Sequence, residues 1–377
     1  MTDTAIHPTR IVPLNDKPYH ADGRYVLYWM QQSQRATFNH ALEYAIEDAN
    51  ARGLPVLVCF GLMDTYPDAN VRHYTFMLEG LADVADRLRR RGIRCIARNG
   101  APPDVAEELS QDAATVICDR GYLRHQRAWR RQLAEHATCR VIQVESDVIV
   151  PVDTASDKVE FAARTIRRKL QRHLDTYLVD LPAARPAYSS LGLDLPGLDV
   201  SNPADLLSTL RVDRSVSDVS RLYKGGQSEA EKRFNHFLMH RFSGYAVHRN
   251  QPQTNDVSHM SKYLHFGQIS PVWLALQVKR NWSQDSGEAF IEELLVRREL
   301  CMNFTTFNSQ YDSYAGLPAW ARKTLDEHRE DKRQYIYRAE DLEQSKTHDP
   351  YWNAAMKEMR ETGYMHNYMR MYWGKKI

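Results

Sequence analysis

The hydrophobic rhythm of the chain changes once. Up to about residue 150, short apolar runs alternate with longer amphipathic stretches. Residues 25–30 (YVLYWM), 54–60, 93–97, 114–118 and 140–144 read as strands rich in β-branched and aromatic side chains. Between them, residues 38–52, 71–91, 103–109 and 123–136 carry helical periodicity, and Gly53 and Gly92 stand as stops. Apolar strands alternating with helices predict a parallel sheet covered on both faces, with ligands at the carboxyl ends of the strands. The first run is followed by Gln31-Gln32-Ser33-Gln34-Arg35 rather than a glycine-rich G-x-G-x-x-G turn, which disfavours a dinucleotide-binding dehydrogenase. Arg35 and the Asp119-Arg120 pair read as structural.

From Ser228 onward the periodicity is helical and no strand is convincing. Between the two patterns, residues 181–203 are rich in Pro, Leu, Ser and Gly and read as an irregular linker. The expected organisation is an α/β domain at 24–150, a connector at 151–227 and a helical domain at 228–377. A length of 377 residues agrees, because one hydrophobic core seldom supports so many.

Composition adds exclusions. With 43% hydrophobic and 26% charged residues the chain is an ordinary globular one. No apolar run approaches the ~18 residues of a membrane span. The polar first 20 residues hold no apolar signal core, so a cytoplasmic protein without membrane contact is expected. Five scattered cysteines without C-x-x-C spacing argue against a disulfide or zinc framework. A net charge of +2 implies no polyanion partner by itself, so a nucleic-acid surface has to come from local clustering. The most basic run, residues 164–173 (RTIRRKLQRH), fits phosphate contact or a solvated helix face.

Four stretches carry candidate chemistry. Residues 255–271 (NDVSHMSKYLHFGQISP) place hydroxyls on a loop leading into a helix, which suits a diphosphate and equally suits a capped turn. The segment 290–301 (FIEELLVRRELC) has Glu293 and Arg297 at i, i+4, the spacing of a helical salt bridge. Residues 311–322 hold Trp320 and Arg322 on a loop entering a helix. The densest stretch is 346–377. There Thr347-His348-Asp349-Pro350 opens a helix, Gly363 breaks it, and a second helix starts near Met365. On that helix Asn367, Arg370 and Gly374 share one face, and Met365, Met369 and Trp373 share another. A polar stripe beside a Met/Trp stripe suits a flat amphipathic ligand, and it also suits plain core packing.

In THDPYWN (347–353), MHNYMRMYWGKKI (365–377), DTASDK (153–158) and the 255–271 loop, the chain resembles the class II cyclobutane pyrimidine dimer photolyases. The resemblance covers nearly everything from about Arg24. It implies a Rossmann-like antenna domain, which in the family can hold a second chromophore, followed by an all-helical domain binding FAD without a covalent bond. The implied partner is DNA containing cyclobutane dimers, and a monomer is expected. The implied chemistry is light-driven electron transfer from reduced FAD to a dimer flipped out of the duplex. The flavin contacts carried over are Tyr245, Arg249, Val257, Ser258, His259, Met260, Ser261, Phe290, Arg297 and Arg370. Val257 departs from the family's usual Thr, removing one hydroxyl. Glu293 matches the glutamate facing the dimer, and Asn367 a polar residue near flavin and lesion. Trp352 and Trp373 match two tryptophans of the electron wire, and Arg298, Trp320 and Arg322 are the DNA contacts.

Family members continue past Ile377, to a third wire tryptophan and an asparagine near flavin N5. Weak flavin affinity is therefore expected of these 377 residues alone. Two other classes stay open: a cryptochrome-like photoreceptor that binds flavin without repair, and a flavin-free DNA-binding remnant.

Overall fold

The structure, a computed structural model, describes residues 6–376. Six strands form one sheet: β1 (Ile11–Pro13), β2 (Tyr25–Trp29), β3 (Val56–Leu62), β4 (Arg94–Asn99), β5 (Ala113–Asp119) and β6 (Arg140–Val144). Their order is β1-β6-β5-β2-β3-β4. Five strands run parallel, as the alternating pattern predicts. The exception is β1, which pairs antiparallel with β6 at the edge. A three-residue strand containing a proline has no periodicity to read, and an edge is where a proline is tolerated. β2, β3 and β5 are buried along their whole length, with helices on both faces, so they read as continuous apolar runs.

The helices between the strands are His40–Arg52, Val71–Arg90, Pro102–Ser110 and Arg124–His136. The first is capped by the Asn39 side chain and ended by Gly53 at φ 69°, a backbone state that favours glycine. The chain leaves β2 towards β3 on one side, while β5 lies on the other, so the switch point of the sheet is at the carboxyl ends of β2 and β5. That corner is densely hydrogen-bonded. Asp119 accepts the Gln32 and Ser33 N–H groups at 2.9 Å and the Tyr28 hydroxyl at 2.8 Å. Fully buried Arg35 donates to Asp147 at 2.7 Å and to the Ser146 and Gly267 carbonyls. Arg35 and Asp119 are thus occupied by protein partners, as the sequence reading has them.

The connector divides its packing. Ala163, Ile166, Leu170 and Tyr177 join the helical core. Leu181, Leu206 and Leu210 pack back on the sheet core. Of the basic run, now on the helix Ala163–Tyr177, Arg167 pairs with Glu292 at 2.7 Å and Lys169 with Glu160 at 2.6 Å.

The helical part includes Gln227–His240, Ser261–His265, Pro271–Arg280, Gln284–Ile291 and Arg298–Phe307. Its core is aromatic, with Phe234, Phe237, Phe242, Tyr245 and Phe290 in mutual contact. The last two helices are Pro350–Thr362, capped by Asp349 and stopped by Gly363 at φ 72°, and Asn367–Lys376. No described helix is long and apolar enough to cross a membrane.

Candidate active site

A cavity of about 990 Å³ opens between the sheet's switch point and the helical core. Gln31, Gln34, Trp129 and Arg130 line one end; Ser258, Ser261, Phe290, Glu293, Arg298 and Arg370 line the other. The two halves of the chain meet here because Gly267, at φ 64°, sits against the Gln32 carbonyl, where a Cβ would come within 2.1 Å of that oxygen.

Glu293 is carried by a π-helical turn, Glu292–Arg297, inserted between two α-helical segments. This overturns the i, i+4 pairing of Glu293 with Arg297. In a π turn the side chains that align are five apart, and Arg297 pairs with Glu292 at 3.1 Å. Glu293 turns into the cavity and accepts from Arg249 Nη2 at 2.7 Å. Its side chain keeps 34% of its exposure, so it is only partly buried. Arg297 stays outside the cavity. Arg298 lines the cavity and donates to the Asp147 carbonyl at 2.6 Å, which puts it on the inner wall.

The hydroxyl turn is tightly bent, with Asn255 at φ 53° and His259 at φ 57°. It presents Ser258, Met260 and Ser261 to the cavity. The helix that follows is one turn long, Ser261–His265, so little dipole stands behind it. Val257 is half-buried off the cavity lining. His259 packs on Tyr364, and burial drops its pKa to about 4. Tyr245 and Phe290 form the aromatic wall, and burial raises the Tyr245 hydroxyl's pKa.

Arg370 lines the cavity from the last helix, while Asn367, exposed at its start, does not. The Met/Trp face predicted there is a packed cluster. Trp373 meets Trp352 edge-to-face with centroids 4.4 Å apart, Met365 and Met369 pack around them, and the Trp352 indole donates to the Leu342 carbonyl. Trp320 is 74% exposed on the helix Ala319–Glu327, which also carries Arg322; both stand away from the cavity.

Sequence reasoning expected ligands at the strand ends but named no residue there. Buried Gln34 has its Oε1, and buried Arg130 its Nη2, without a hydrogen-bond partner. Gln34 lies in the non-glycine loop after β2, the one signal that pointed there. Arg130, within an ordinary amphipathic helix, had none.

A profile described as DNA photolyase matches residues 26–187. The deoxyribodipyrimidine photo-lyase of Methanothermobacter thermautotrophicus is 46% identical over 375 residues, covering 99% of this chain and 82% of that protein. Among solved structures, a bacterial class III photolyase from Agrobacterium tumefaciens matches with a TM-score of 0.69 at 20% identity, over 93% of this chain and 71% of the other. An archaeal photolyase from Sulfolobus tokodaii, solved with two FAD molecules, matches with a TM-score of 0.66 at 18% identity, over 92% and 73%. The chain belongs to the DNA photolyase family.

Proposed function

We propose that this chain performs light-driven repair of cyclobutane pyrimidine dimers in DNA, as a class II deoxyribodipyrimidine photolyase acting as a monomer on FAD. The observation that carries the reading is the π turn, which sends Glu293 into the same cavity that Ser258, Ser261 and Arg370 enter from other elements.

The residues present fit FAD. Ser258 and Ser261 offer hydroxyls and Arg370 a cation for a diphosphate, while Phe290 and Tyr245 offer an aromatic wall for a planar ring. At the strand ends, the unpartnered Gln34 Oε1 and Arg130 Nη2 fit a second chromophore bearing both a donor and an acceptor. FAD, when bound and reduced, supplies the electron that opens the cyclobutane ring under light.

The protein's work is position and electrostatics. Glu293 accepts the N3–H of a flipped pyrimidine, and Arg249 holds the carboxylate in place until then. Leu294, Met302 and Phe290 keep water from the reacting face. Trp352 and Trp373, in edge contact, offer a route for electrons to the flavin from outside. Trp320 and Arg322 are poised on the surface for bases and phosphates.

The test is direct. Purified protein is loaded with FAD, gel-filtered, reduced and illuminated with an oligonucleotide carrying one thymine dimer. Retained flavin and light-dependent loss of the dimer are expected. A folded, flavin-loaded protein that leaves the dimer intact contradicts the reading, and a colourless one contradicts its cofactor.

A further inference from the structure

A lysine stands behind the hydroxyl turn with cations for neighbours. Lys262 Nζ lies 4.1 Å from the centre of the Tyr223 ring and 6.0 Å from that of Tyr364. It donates to the His259 carbonyl at 3.1 Å. Nearby charges acting on it are those of Arg233 and Arg370, and burial together with both lowers its pKa to about 7. Among the described residues it forms no ion pair.

The carbonyl it holds belongs to a strained residue. A non-glycine residue at positive φ costs on the order of 1–3 kcal/mol and persists only where its surroundings over-determine it. Here two are four positions apart, Asn255 and His259. The His259 ring is held by Asn255 Oδ1 at 2.8 Å, and its carbonyl by Lys262. The turn fixed in this way carries Ser258 and Ser261 into the cavity.

We propose that Lys262 is a positioning residue for the FAD diphosphate, pinning the Ser258–Ser261 turn from behind and adding to the positive potential the anion meets. The inference rests on the FAD reading above. It carries a linkage. An anion at the turn offsets the repulsion from Arg233 and Arg370, so the ammonium form is favoured when the ligand is bound. Protein whose Lys262 has lost its proton must regain it to bind, and affinity falls as pH rises through about 7.

Other groups face this lysine. His259 and His366 have lowered pKa values and Tyr223 and Tyr364 raised ones, burial being the first cause in each. Burial also raises the Glu358 carboxyl, which acts on both tyrosines. Arg233 is tied to Glu229 at 2.7 Å, while Arg241 and His248 share Asp256. A Lys262→Met variant keeps all of them, so it separates their titration from that of the lysine.

The experiment uses the full chain stripped of flavin. FAD affinity is measured by fluorescence at about pH 6 and about pH 8.5, with amide exchange of the turn followed in parallel. Wild type is expected to bind more tightly at the lower pH. Lys262→Met is expected to bind on the order of tenfold to a hundredfold more weakly at the lower pH, with a flat profile and faster exchange at Met260 and Ser261. Lys262→Arg is expected to bind tightly with a flat profile. Wild-type affinity, pH slope and turn protection in Lys262→Met overturn the inference. If wild type takes up no FAD, the FAD reading fails; turn exchange unchanged by Lys262→Met overturns the inference, and faster exchange sustains its pinning role.

Discussion

Arg249 donates to Glu293 across the cavity at 2.7 Å, so the acid that would face a substrate already has a partner. A flipped pyrimidine has to share or displace that contact. Glu293→Gln keeps the side chain's size but turns one acceptor into a donor, leaving a single neutral oxygen to accept from Arg249 and a pyrimidine N3–H. FAD uptake should be unchanged, and the yield of dimer reversal per absorbed photon should fall about tenfold. An equal fall in flavin retention would place Glu293 in flavin binding instead.

The Trp352–Trp373 contact yields a prediction that separates two activities. Trp352→Phe should slow photoreduction of oxidised flavin at least about tenfold, with repair by chemically reduced protein intact. Its stability cost should be about 1–3 kcal/mol, because the buried indole loses its bond to the Leu342 carbonyl and part of its packing. Transient absorption of the flavin checks the first outcome and urea unfolding the second.

Gly267 joins the two halves of the site at positive φ, facing the Gln32 carbonyl. Gly267→Ala should destabilise by about 2–4 kcal/mol, since strain and a backbone clash add. The urea midpoint reports this. An unchanged midpoint would mean that the β2 loop and the chain just after the helix Ser261–His265 are not pressed together.

Much of the fold was legible in the sequence. The strand–helix alternation, the Gly53 and Gly363 stops and the Asp349-Pro350 start are local signals, and the structure realises them locally. The edge strand β1 was not, because three residues have no period. Nor was the π turn. Residues 290–301 read as an uninterrupted amphipathic helix, and nothing in residue type shows that Arg297 meets Glu292 instead of Glu293. In the site, the motif residues Ser258, Ser261, Glu293 and Arg370 do converge on one cavity. Arg130 and Gln34 join them only through tertiary packing of elements distant in sequence.

Glu299 gives a pH signature. Its carboxyl is buried, accepts the Val150 N–H at 3.2 Å and that of Ile149, and has its pKa pushed up to about 8, burial being the main cause. A raised carboxyl pKa means the folded state binds the extra proton. This contribution is full below the ordinary carboxylate value and is lost as pH climbs towards about 8. Stability should therefore fall over that window, by at most about 1.4 kcal/mol per pH unit from this group. Glu299→Gln should show a shallower fall between about pH 5 and about pH 8. Urea titrations at the two values decide it, and identical slopes would show that Glu299 does not titrate there.

The central claim is that flavin held beside Glu293 absorbs the light that reverses the dimer. The action spectrum of dimer reversal tests it most directly. The account predicts no reversal in the dark and, under light, a rate that follows the near-ultraviolet and blue absorption of the protein's reduced flavin. Reversal in the dark, or none under light absorbed by a fully loaded and folded protein, would contradict it.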